Sequence, residues 1–470
     1  MKRTKIVATI GLASEDKEIL RKLIEAGMNV ARLNFSHGTH EWHGNVIKRV
    51  RELSKEMGVP VGILADLQGP RIRTLVEAEV EIKTGEKISV SDVAKNKLIE
   101  KGFLLDVPNI VDDIEVGNEI LVEDGIMKVV VREKNDGELL CEVIDGGIIR
   151  NHKGVNIPDA KLRISPITEK DEKDLAFSLD SEVDFVAMSF VSTGEDVENL
   201  RAKMTKHLGR TENIPQIISK IERKEAIKNL EEIIKATDAV MVARGDLGIE
   251  IETSRVAVLQ KEIIRKSLQY MKPVIVATQM LNSMIENPRP TRAEVSDVSN
   301  AVIDHADAVM LSGESASGKY PVESVKTMAD IIGHTEVSPF DDIIGTLKVP
   351  ESTQYNEIVS GAYSLAKSSK AKAIALGSAS GLTARLISHF RPEQPLLVVT
   401  DNEKTYNQLA LVWGVEVRLF DKGGVFREDI DWLLGKAKEM GELNSGDKVV
   451  LIMGRVEGEK IRLIGVKEIE

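Results

Sequence analysis

A lysine and a glutamate lie two residues apart in the short apolar segment "PQIISKIE", which runs from Pro215 to Glu222. The β-branched residues and the opening proline predict a strand, whose side chains alternate between two faces. Lys220 and Glu222 therefore share a face with Ile218. Charged groups on a buried strand are costly to desolvate unless each has a partner. The spacing indicates either a bound anion with its cation or a structural ion pair.

Several other apolar segments also end in polar residues, and the residue types suggest a chemistry. Glu222 and Asp246, on neighbouring predicted strands, could hold one hard divalent ion with water and substrate positions left open, as Mg²⁺ prefers. Lys220 would supply a point charge for an anionic group, and Thr278 a hydroxyl for hydrogen bonding or proton relay. Arg32 and the amides of "ARGDLG" would add anion contacts, although that motif alone indicates only a tight strand-to-helix turn. The set predicts a site for a small phosphorylated or carboxylated anion bound through a divalent ion.

The first 345 residues contain the elements that must position these side chains. Short apolar strands alternate there with amphipathic helices, and most strands lack the alternation of a solvent-facing sheet. The strand segments are "TKIVATI", "NVARLNFS", "VGILADL", "VDFVAMSF", "QIISKIE", "DAVMVARG", "KPVIVATQ" and "DAVMLSG". Eight such repeats predict an α/β fold with a closed (β/α)8 TIM barrel, in which the chemistry gathers at the carboxyl ends of the strands.

One connection in this pattern, from Leu67 to Val183, is far too long for a loop. It contains short strand patterns such as "NEILVEDGIMKVVV" and predicts an inserted small β-barrel domain that acts as a lid. After "VPESTQYNEIV", the strands "KAIALG", "PLLVVT", "VEVRLF" and "KVVLIMG" alternate with helices and predict a C-terminal doubly wound α/β domain. The predicted limits are 1–69 and 159–345 for the barrel, 70–158 for the lid and 346–470 for the C-terminal domain.

Composition excludes several classes of protein. The chain has 470 residues, 42% of them apolar, which is enough for two or three domains with cores. Its net charge of −12 argues against a general nucleic-acid binder and against an anionic membrane surface. The one cysteine, Cys141, excludes a disulfide framework and fits a reducing cytoplasm. No apolar run approaches the ~20 residues of a membrane helix, so we expect a cytoplasmic protein.

These residues, in this order, resemble the pyruvate kinase family. The resemblance covers the whole chain through the blocks "TKIVATIG", "MNVARLNFSHG", "ILADLQGPRIRT", "RNHKGVNIP", "ISKIE", "MVARGDLG", "VIVATQML" and "ENPRPTRAE". It implies a barrel with a β lid and an α/β C-terminal domain, assembled as a homotetramer. It also implies transfer of the phosphoryl group of phosphoenolpyruvate to ADP, the last step of glycolysis, which gives pyruvate and ATP.

The resemblance also implies a role for each candidate residue. Glu222 and Asp246 would hold Mg²⁺, for which Mn²⁺ can substitute, and a second Mg²⁺ would arrive with the nucleotide. Lys220 would stabilise the transferred phosphoryl group and the enolate, and a water near Thr278 would protonate that enolate. The contacts implied for phosphoenolpyruvate are Arg32, Thr278 and the amides of Gly245 and Asp246. The contacts implied for the nucleotide are Arg73, Asn34 and, from the lid, Lys153.

The chain departs from the family at a potassium site. Members that require K⁺ typically read "DTKGPEIR" where this chain reads "DLQGPRIR", with Arg71 in place of the glutamate. The residues that match the K⁺ ligands are Asn34, Ser36, Asp66 and, through its carbonyl, Leu67. We expect the Arg71 guanidinium to supply the positive charge of K⁺, so that K⁺ is dispensable. The alternative is a surface arginine at the lid hinge, with K⁺ still bound.

A second anion site is suggested by "LGSASGLTARL", which follows a strand and opens a helix. Its backbone and side chains could cradle the phosphate of an allosteric effector, as in the sugar-phosphate loop of the family, through Ser378, Ser380, Gly381 and Thr383. Simple capping of the helix explains the segment equally well. The other half of a fructose bisphosphate site would fall in "GRVEGEKIRL", which is short for the family and carries Arg455. AMP or a sugar monophosphate is at least as good a candidate.

Two other functions remain open at this point. A Mg²⁺-dependent barrel aldolase or lyase that generates pyruvate enolate would share the strand carboxylates, but it would need neither the lid nor Lys153. A metabolite sensor would use only the C-terminal loop, with an inert barrel. Release of pyruvate that depends on ADP separates the kinase from the lyase, and loss of activity in a folded Lys220→Met variant counts against the sensor.

Overall fold

The computed structural model describes residues 2–96, 101–339, 354–420, 426–453 and 463–470. The chain begins with three strands that alternate with two helices, and it then forms a run of short strands. The first elements are β1 Lys5–Ile10, α1 Lys17–Glu25, β2 Val30–Asn34, α2 His40–Met57 and β3 Gly62–Asp66. The short strands are β4 Ile72–Leu75, β5 Val80–Ile82, β6 Lys87–Asp92, β7 Gly102–Leu105, β8 Glu119–Val122, β9 Met127–Asn135, β10 Glu138–Asp145, β11 Gly147–Ile149 and β12 Gly154–Asn156.

Alternation of helices and strands resumes after β12 and continues to the C-terminus. The barrel elements are α3 Glu169–Asp180, β13 Phe185–Met188, α4 Gly194–Leu208, β14 Gln216–Ile221, α5 Lys224–Lys228, α6 Leu230–Ala236, β15 Ala239–Ala243, α7 Arg244–Glu250, α8 Val256–Gln269, β16 Val274–Ala277, α9 Arg292–Ile303, β17 Ala308–Leu311, α10 Gly313–Ala316 and α11 Pro321–Glu336. The C-terminal elements are α12 Gln354–Ser369, β18 Ala373–Gly377, α13 Leu382–His389, β19 Leu396–Thr400, α14 Glu403–Gln408, β20 Val415–Leu419, α15 Phe426–Glu439, β21 Lys448–Met453 and β22 Leu463–Glu468. Within the described ranges, no helix has both the length and the apolar character needed to cross a membrane.

Eight parallel strands close into a barrel in the order β1, β17, β16, β15, β14, β13, β3, β2. The predicted TIM barrel and its eight strand segments are confirmed. Ile218 packs inside the barrel with Leu64 and Phe185, whereas Ile217 packs in the outer layer between strands and helices. Because side chains alternate along β14, Lys220 points into the barrel with Ile218.

The inserted segment forms a second closed barrel, in the order β10, β6, β7, β4, β12, β8, β9. It has an apolar core of its own, which includes Phe103. The segment leaves the large barrel after β3, at the carboxyl end of the strands, and it touches that end again on its return. There Asn156 Nδ2 donates to Glu250 Oε1 at 3.2 Å, and Lys224 pairs with Asp159 at 2.5 Å. The small barrel therefore covers the end at which chemistry is expected.

The C-terminal domain is a five-stranded sheet in the order β20, β19, β18, β21, β22. The four predicted strands are confirmed and run parallel, and β22 adds an antiparallel edge that the sequence analysis missed. The domain packs against the amino end of the large barrel, where Arg391 pairs with Asp307 at 2.9 Å and Lys404 lies 3.7 Å from Asp184. The carboxyl end is left for the lid. The predicted boundary at residue 346 lies outside the described residues.

Two histidines at this junction, His389 buried and His305 half-buried, predict that acid destabilises the protein. Burial, assisted by the positive charge of Arg391, lowers the pKa of His389 and of His305 to about 4. An unfolded histidine has a pKa near 6.5, so stability is lost as the pH falls through the window from 6.5 to about 4. We expect each histidine to remove about 2 kcal/mol from the free energy of unfolding between pH 7 and pH 5.

Chemical denaturation at the two pH values checks this expectation. His389→Asn should lose less stability on acidification than the parent protein, because it lacks one group that takes up a proton on unfolding. His207→Asn, which replaces a histidine at the surface, should lose as much stability on acidification as the parent protein does. An unchanged acid response in His389→Asn would contradict the assignment.

Candidate active site

The ammonium of Lys220 lies at the centre of the polar residues at the carboxyl end of the barrel. Its Nζ donates to Ser189 Oγ at 2.7 Å and lies 3.4 Å from carboxylate oxygens of both Asp66 and Glu222. These contacts come from β3, from the residue after β13, and from the residue after β14. The lysine side chain is only 12% exposed, so its ammonium is held largely by these protein contacts.

The charges of this cluster are unequally compensated. Burial disfavours the Lys220 ammonium, but the Asp66 and Glu222 carboxylates outweigh it and raise its pKa above the usual value. Burial likewise opposes the charged form of Asp66, yet Lys220 and Arg32 lower the pKa of that carboxyl. Glu222 shares the same ammonium and also faces Asp246; burial, with that like charge added, raises its pKa. Glu222 is therefore the carboxylate that gains most from a further cation.

Glu222 and Asp246 are the two carboxylates that could hold a divalent ion. Glu222 Oε1 accepts from the Phe190 amide at 2.7 Å, whereas its buried Oε2 has no hydrogen-bond partner among the described residues. Asp246 lies in the first turn of α7 and is partly exposed to the cleft. The described ranges contain no cluster of three or more metal-binding side chains. Two carboxylates would leave most coordination positions to water and substrate, which suits Mg²⁺.

Thr278 stands against the turn that carries Gly245. Its hydroxyl accepts from the Gly245 amide at 2.8 Å, so the two predicted substrate contacts are neighbours. Thr278 has a φ of +68°, which is rare for a β-branched residue, and Gln279 follows with +55°. Arg244 holds this backbone by donating to the Thr278 carbonyl at 2.7 Å and to Asp297. Strained backbone of this kind persists where surrounding contacts enforce it, and it concentrates at functional sites.

The residues that match the potassium site lie beside this cluster. Arg32 is buried and donates to Asp66 Oδ2 at 2.7 Å and to the Thr9 hydroxyl at 2.8 Å. Asn34 is paired with Asp66 in the register of β2 and β3, and its side-chain oxygen accepts from the Ser36 amide at 3.1 Å. The carbonyl of Leu67 accepts from the Ser189 hydroxyl at 2.7 Å. The four predicted K⁺ ligands are thus grouped at the ends of two adjacent strands.

A cleft of about 200 Å³ lies between the lid and the barrel and is lined by Arg71, Gly154, Asn156 and Asp246, among others. Arg71 is half-exposed, and its Nη2 lies 3.8 Å from Asp246 Oδ1.

Two predicted nucleotide contacts lie close together in the lid, one on β4 and one just before its neighbour β12. Arg73 lies on β4, opposite Gly154 of β12, and its amide donates to Asp106 at 2.7 Å. Lys153 comes directly before β12 and pairs with Glu123 at 2.6 Å. A bound phosphate would have to compete with Glu123 for that ammonium.

The predicted effector loop connects β18 to α13. Ser378 is buried and its amide donates to the Val399 carbonyl, whereas Ser380 is exposed and Thr383 half-buried. Gly381 caps α13 with a φ of +72° and without a side-chain hydrogen bond, so capping by a side chain does not explain the loop. The second predicted half of an effector site, with Arg455, lies outside the described residues.

Sequence reasoning missed two groups that the structure brings to the site. Ser189 contacts Lys220, although only its place after the fourth barrel strand could have marked it. Glu250 is buried at the end of α7, where burial raises its pKa and Asn156 of the lid donates to it. Their partners are far apart in the sequence, so no local motif contains them.

A TIM barrel with an inserted lid domain, and with polar side chains gathered at the carboxyl end of its strands, is the arrangement of a TIM-barrel enzyme. The profile of the pyruvate kinase barrel domain matches residues 1–325, and that of the pyruvate kinase alpha/beta domain matches residues 356–462. The chain belongs to the pyruvate kinase family. Its activity is accordingly that of a phosphotransferase in glycolysis, which converts phosphoenolpyruvate to pyruvate.

Individual pyruvate kinases are similar to this protein over almost its whole chain. Pyruvate kinase of Geobacillus stearothermophilus is 43% identical over 464 residues, which cover 97% of this chain and 78% of the relative. Pyruvate kinase of Clostridium acetobutylicum is 41% identical over 465 residues, which cover 97% of this chain and 96% of the relative. A solved structure of pyruvate kinase from Cryptosporidium parvum superposes with a TM-score of 0.92 at 34% identity, covering 99% and 96% of the two chains. These matches favour the kinase over the lyase and the sensor.

Proposed function

We propose that the phosphoryl group of phosphoenolpyruvate moves to ADP at the Lys220 cluster. The observation that carries this assignment is one buried ammonium, held between Asp66, Ser189 and Glu222 at the carboxyl end of the barrel. Phosphoryl transfer needs little covalent help from a protein, and it depends mainly on in-line positioning and on neutralised charge. A fixed ammonium in a site shielded from water supplies such neutralisation without reorganising during the reaction.

Glu222 and Asp246 would hold Mg²⁺ in this proposal, and Mn²⁺ would substitute for it. The Oε2 of Glu222, which makes no hydrogen bond within the described part of the chain and lies 3.4 Å from Lys220 Nζ, and the raised pKa of that carboxyl support this role. When bound, the divalent ion supplies charge neutralisation for the anionic substrate. A second Mg²⁺ would enter with the nucleotide.

The remaining substrate contacts would orient phosphoenolpyruvate. Arg32 and the amides of Gly245 and Asp246 would bind its anionic groups, and the Thr278 hydroxyl would exchange its bond with the Gly245 amide for one with substrate. Lys220 would stay charged as the enolate forms, because its pKa is raised. A water ordered by Thr278 would then donate the proton to carbon.

The nucleotide would lie between lid and barrel. Arg73 and Lys153 would contact its phosphates, together with Asn34 at the end of β2. The lid is tied to α7 through Asn156 and Glu250, and α7 also carries Asp246. Closure of the lid would exclude water, which would otherwise compete with ADP for the phosphoryl group.

Arg71 would replace the potassium ion. Its half-exposed guanidinium lies 3.8 Å from Asp246 Oδ1, and this place beside a carboxylate of the site is the observation that supports the proposal. We expect the rate to stay within about twofold when K⁺ is replaced by a tetraalkylammonium ion, because a fixed positive charge does not depend on the added salt. A collapse of the rate under these conditions would refute the proposal.

The reverse substitution sharpens this test. Arg71→Glu should make activity depend on K⁺, with about a tenfold stimulation by 100 mM KCl, because the substitution removes a positive charge beside Asp246 and puts a carboxylate in its place. Arg132→Glu in the lid, where the arginine pairs with Glu142 at the surface, is the matched control and should leave the enzyme indifferent to K⁺.

The resemblance to the family also leads us to propose an oligomeric state and an effector site. The protein would be a cytoplasmic homotetramer, and Ser378, Ser380, Gly381 and Thr383 would receive the phosphate of an effector. The absence of a side-chain cap on α13 leaves its first amides for such a ligand. AMP, a sugar monophosphate and fructose bisphosphate are the candidates to compare.

A coupled assay that follows pyruvate tests the proposed function. Phosphoenolpyruvate with ADP and Mg²⁺ should give pyruvate and ATP in equal amounts, and omission of ADP should abolish both. Pyruvate formed at the same rate without ADP would indicate a phosphatase or lyase instead.

A further inference from the structure

The turn that follows the fourth barrel strand contacts both charged groups of β14. Ser189 accepts from Lys220 Nζ at 2.7 Å, and the next residue, Phe190, donates its amide to Glu222 Oε1 at 2.7 Å. Ser189 is 2% exposed, and Phe190 has a φ of +57°, an uncommon conformation for a bulky side chain. The ammonium and the carboxylate are thus both held by two consecutive residues of a strained turn.

Hydrogen-bond chemistry fixes the direction of the Ser189 hydroxyl. A hydroxyl has one proton to donate, and an ammonium can only donate. The carbonyl of Leu67, 2.7 Å away, can only accept, so it receives the Ser189 proton. Ser189 must then present a lone pair to Lys220. The chain of bonds from Lys220 through Ser189 to the Leu67 carbonyl has one possible polarity.

The packing of the turn leaves it little freedom. Gly69 lies in the loop after β3 with a φ of +69°. A Cβ on Gly69 would come within 2.7 Å of the Phe190 ring and 2.9 Å of Ser189 Cβ. Only a glycine lets the two loops approach so closely, and the approach brings the Leu67 carbonyl within reach of Ser189.

We propose that Ser189 is a positioning residue for Lys220. Two carboxylates alone would draw the ammonium along the line between Asp66 and Glu222, each 3.4 Å away. The shorter contact to Ser189 holds it off that line and fixes the direction of its remaining protons. This inference depends on the proposed role of Lys220 in the transfer, and it adds a residue that does not itself touch the substrate.

Ser189→Ala is the test variant, because it removes the acceptor and leaves both carboxylates in place. We expect kcat to fall about 10- to 100-fold, the range typical of a lost charge-assisted hydrogen bond in an active site. The KM for phosphoenolpyruvate should change by less than about threefold, because Ser189 makes no substrate contact. Ser189→Cys retains a weak acceptor of similar size and should recover part of the lost kcat.

Ser219→Ala is the matched control. Ser219 immediately precedes Lys220, is fully buried, and donates to the Thr237 hydroxyl at 2.9 Å on the outer side of the barrel. Ser219→Ala should lower the melting temperature about as much as Ser189→Ala does, and it should leave kcat unchanged. Equal effects of the two variants on both kcat and melting temperature would overturn the positioning role.

A second measurement is independent of turnover. The rate at which trinitrobenzenesulfonate modifies Lys220 in the metal-free protein can be followed by mass spectrometry of the peptide that contains it. The reagent attacks the neutral amine form of lysine. We expect its rate to rise several-fold in Ser189→Ala, because the Lys220 side chain is no longer held against the turn and its amine form meets the reagent more often, and to stay constant in Ser219→Ala. An unchanged rate in Ser189→Ala would overturn the inference. If Lys220→Met proved fully active while this rate still rose, the proposed function would fail and the positioning contact would stand.

Discussion

Lys220→Met should lower kcat about 10²- to 10³-fold, because loss of a preorganised charge where charge develops removes roughly 3–4 kcal/mol of stabilisation. The substitution also leaves Asp66 and Glu222 without their shared ammonium, so the folded protein should be measurably less stable. A coupled assay gives kcat, and thermal unfolding shows whether the variant is folded at the assay temperature.

Lys5→Met is the matched control for that substitution. Lys5 is also buried at a barrel strand, but it lies at the amino end, where its Nζ donates to the Val415 carbonyl at 2.8 Å. Burial lowers the pKa of Lys5 to about 8. Its replacement should alter stability while kcat stays within about threefold of the parent, because the substitution is remote from the reacting groups. A similar loss of kcat in both variants would show that the effect of Lys220→Met is not specific.

Glu222→Gln should weaken binding of a divalent ion at least ~100-fold, because a neutral amide replaces one of only two carboxylates available to the metal. Electron paramagnetic resonance of Mn²⁺ in the absence of substrates measures this affinity independently of catalysis. Since burial already raises the pKa of Glu222, the parent protein should also lose Mn²⁺ on mild acidification, as protons compete for the carboxylate.

Glu250→Gln provides the comparison in the same cleft. Glu250 is buried and its oxygens accept from Asn156 and from the Lys224 amide, so its side chain is committed to the lid contact. Mn²⁺ affinity should remain within about threefold of the parent, because neither metal-binding carboxylate is changed. Loss of Mn²⁺ binding in Glu250→Gln but not in Glu222→Gln would place the metal elsewhere.

The strands and the direction of their side chains could be predicted from local sequence. Alternation along "QIISKIE" was enough to place Lys220 inside the barrel beside Ile218, because period-two geometry is a property of any strand. The inserted small barrel could also be predicted, since an apolar α/β pattern cannot contain so long a connection without structure.

Contacts between distant segments could not be predicted in the same way. Ser189 reaches Lys220 only because the barrel sets β13 beside β14, and Asn156 meets Glu250 only because the lid folds back onto α7. The strand β22 was missed because it is short, contains a glycine and lies largely exposed at the edge, and its pairing with β21 is set by the sheet. Such features depend on tertiary packing, which a single sequence does not display.

The most direct test is to locate the metal by anomalous diffraction in crystals grown with Mn²⁺ and oxalate, a dianion with the shape and charge of pyruvate enolate. We expect an anomalous peak about 2.2 Å from a carboxylate oxygen of both Glu222 and Asp246, a distance typical of hard divalent ions. Lys220 Nζ should lie against the oxalate. A peak that touches neither carboxylate would contradict the site proposed for phosphoryl transfer.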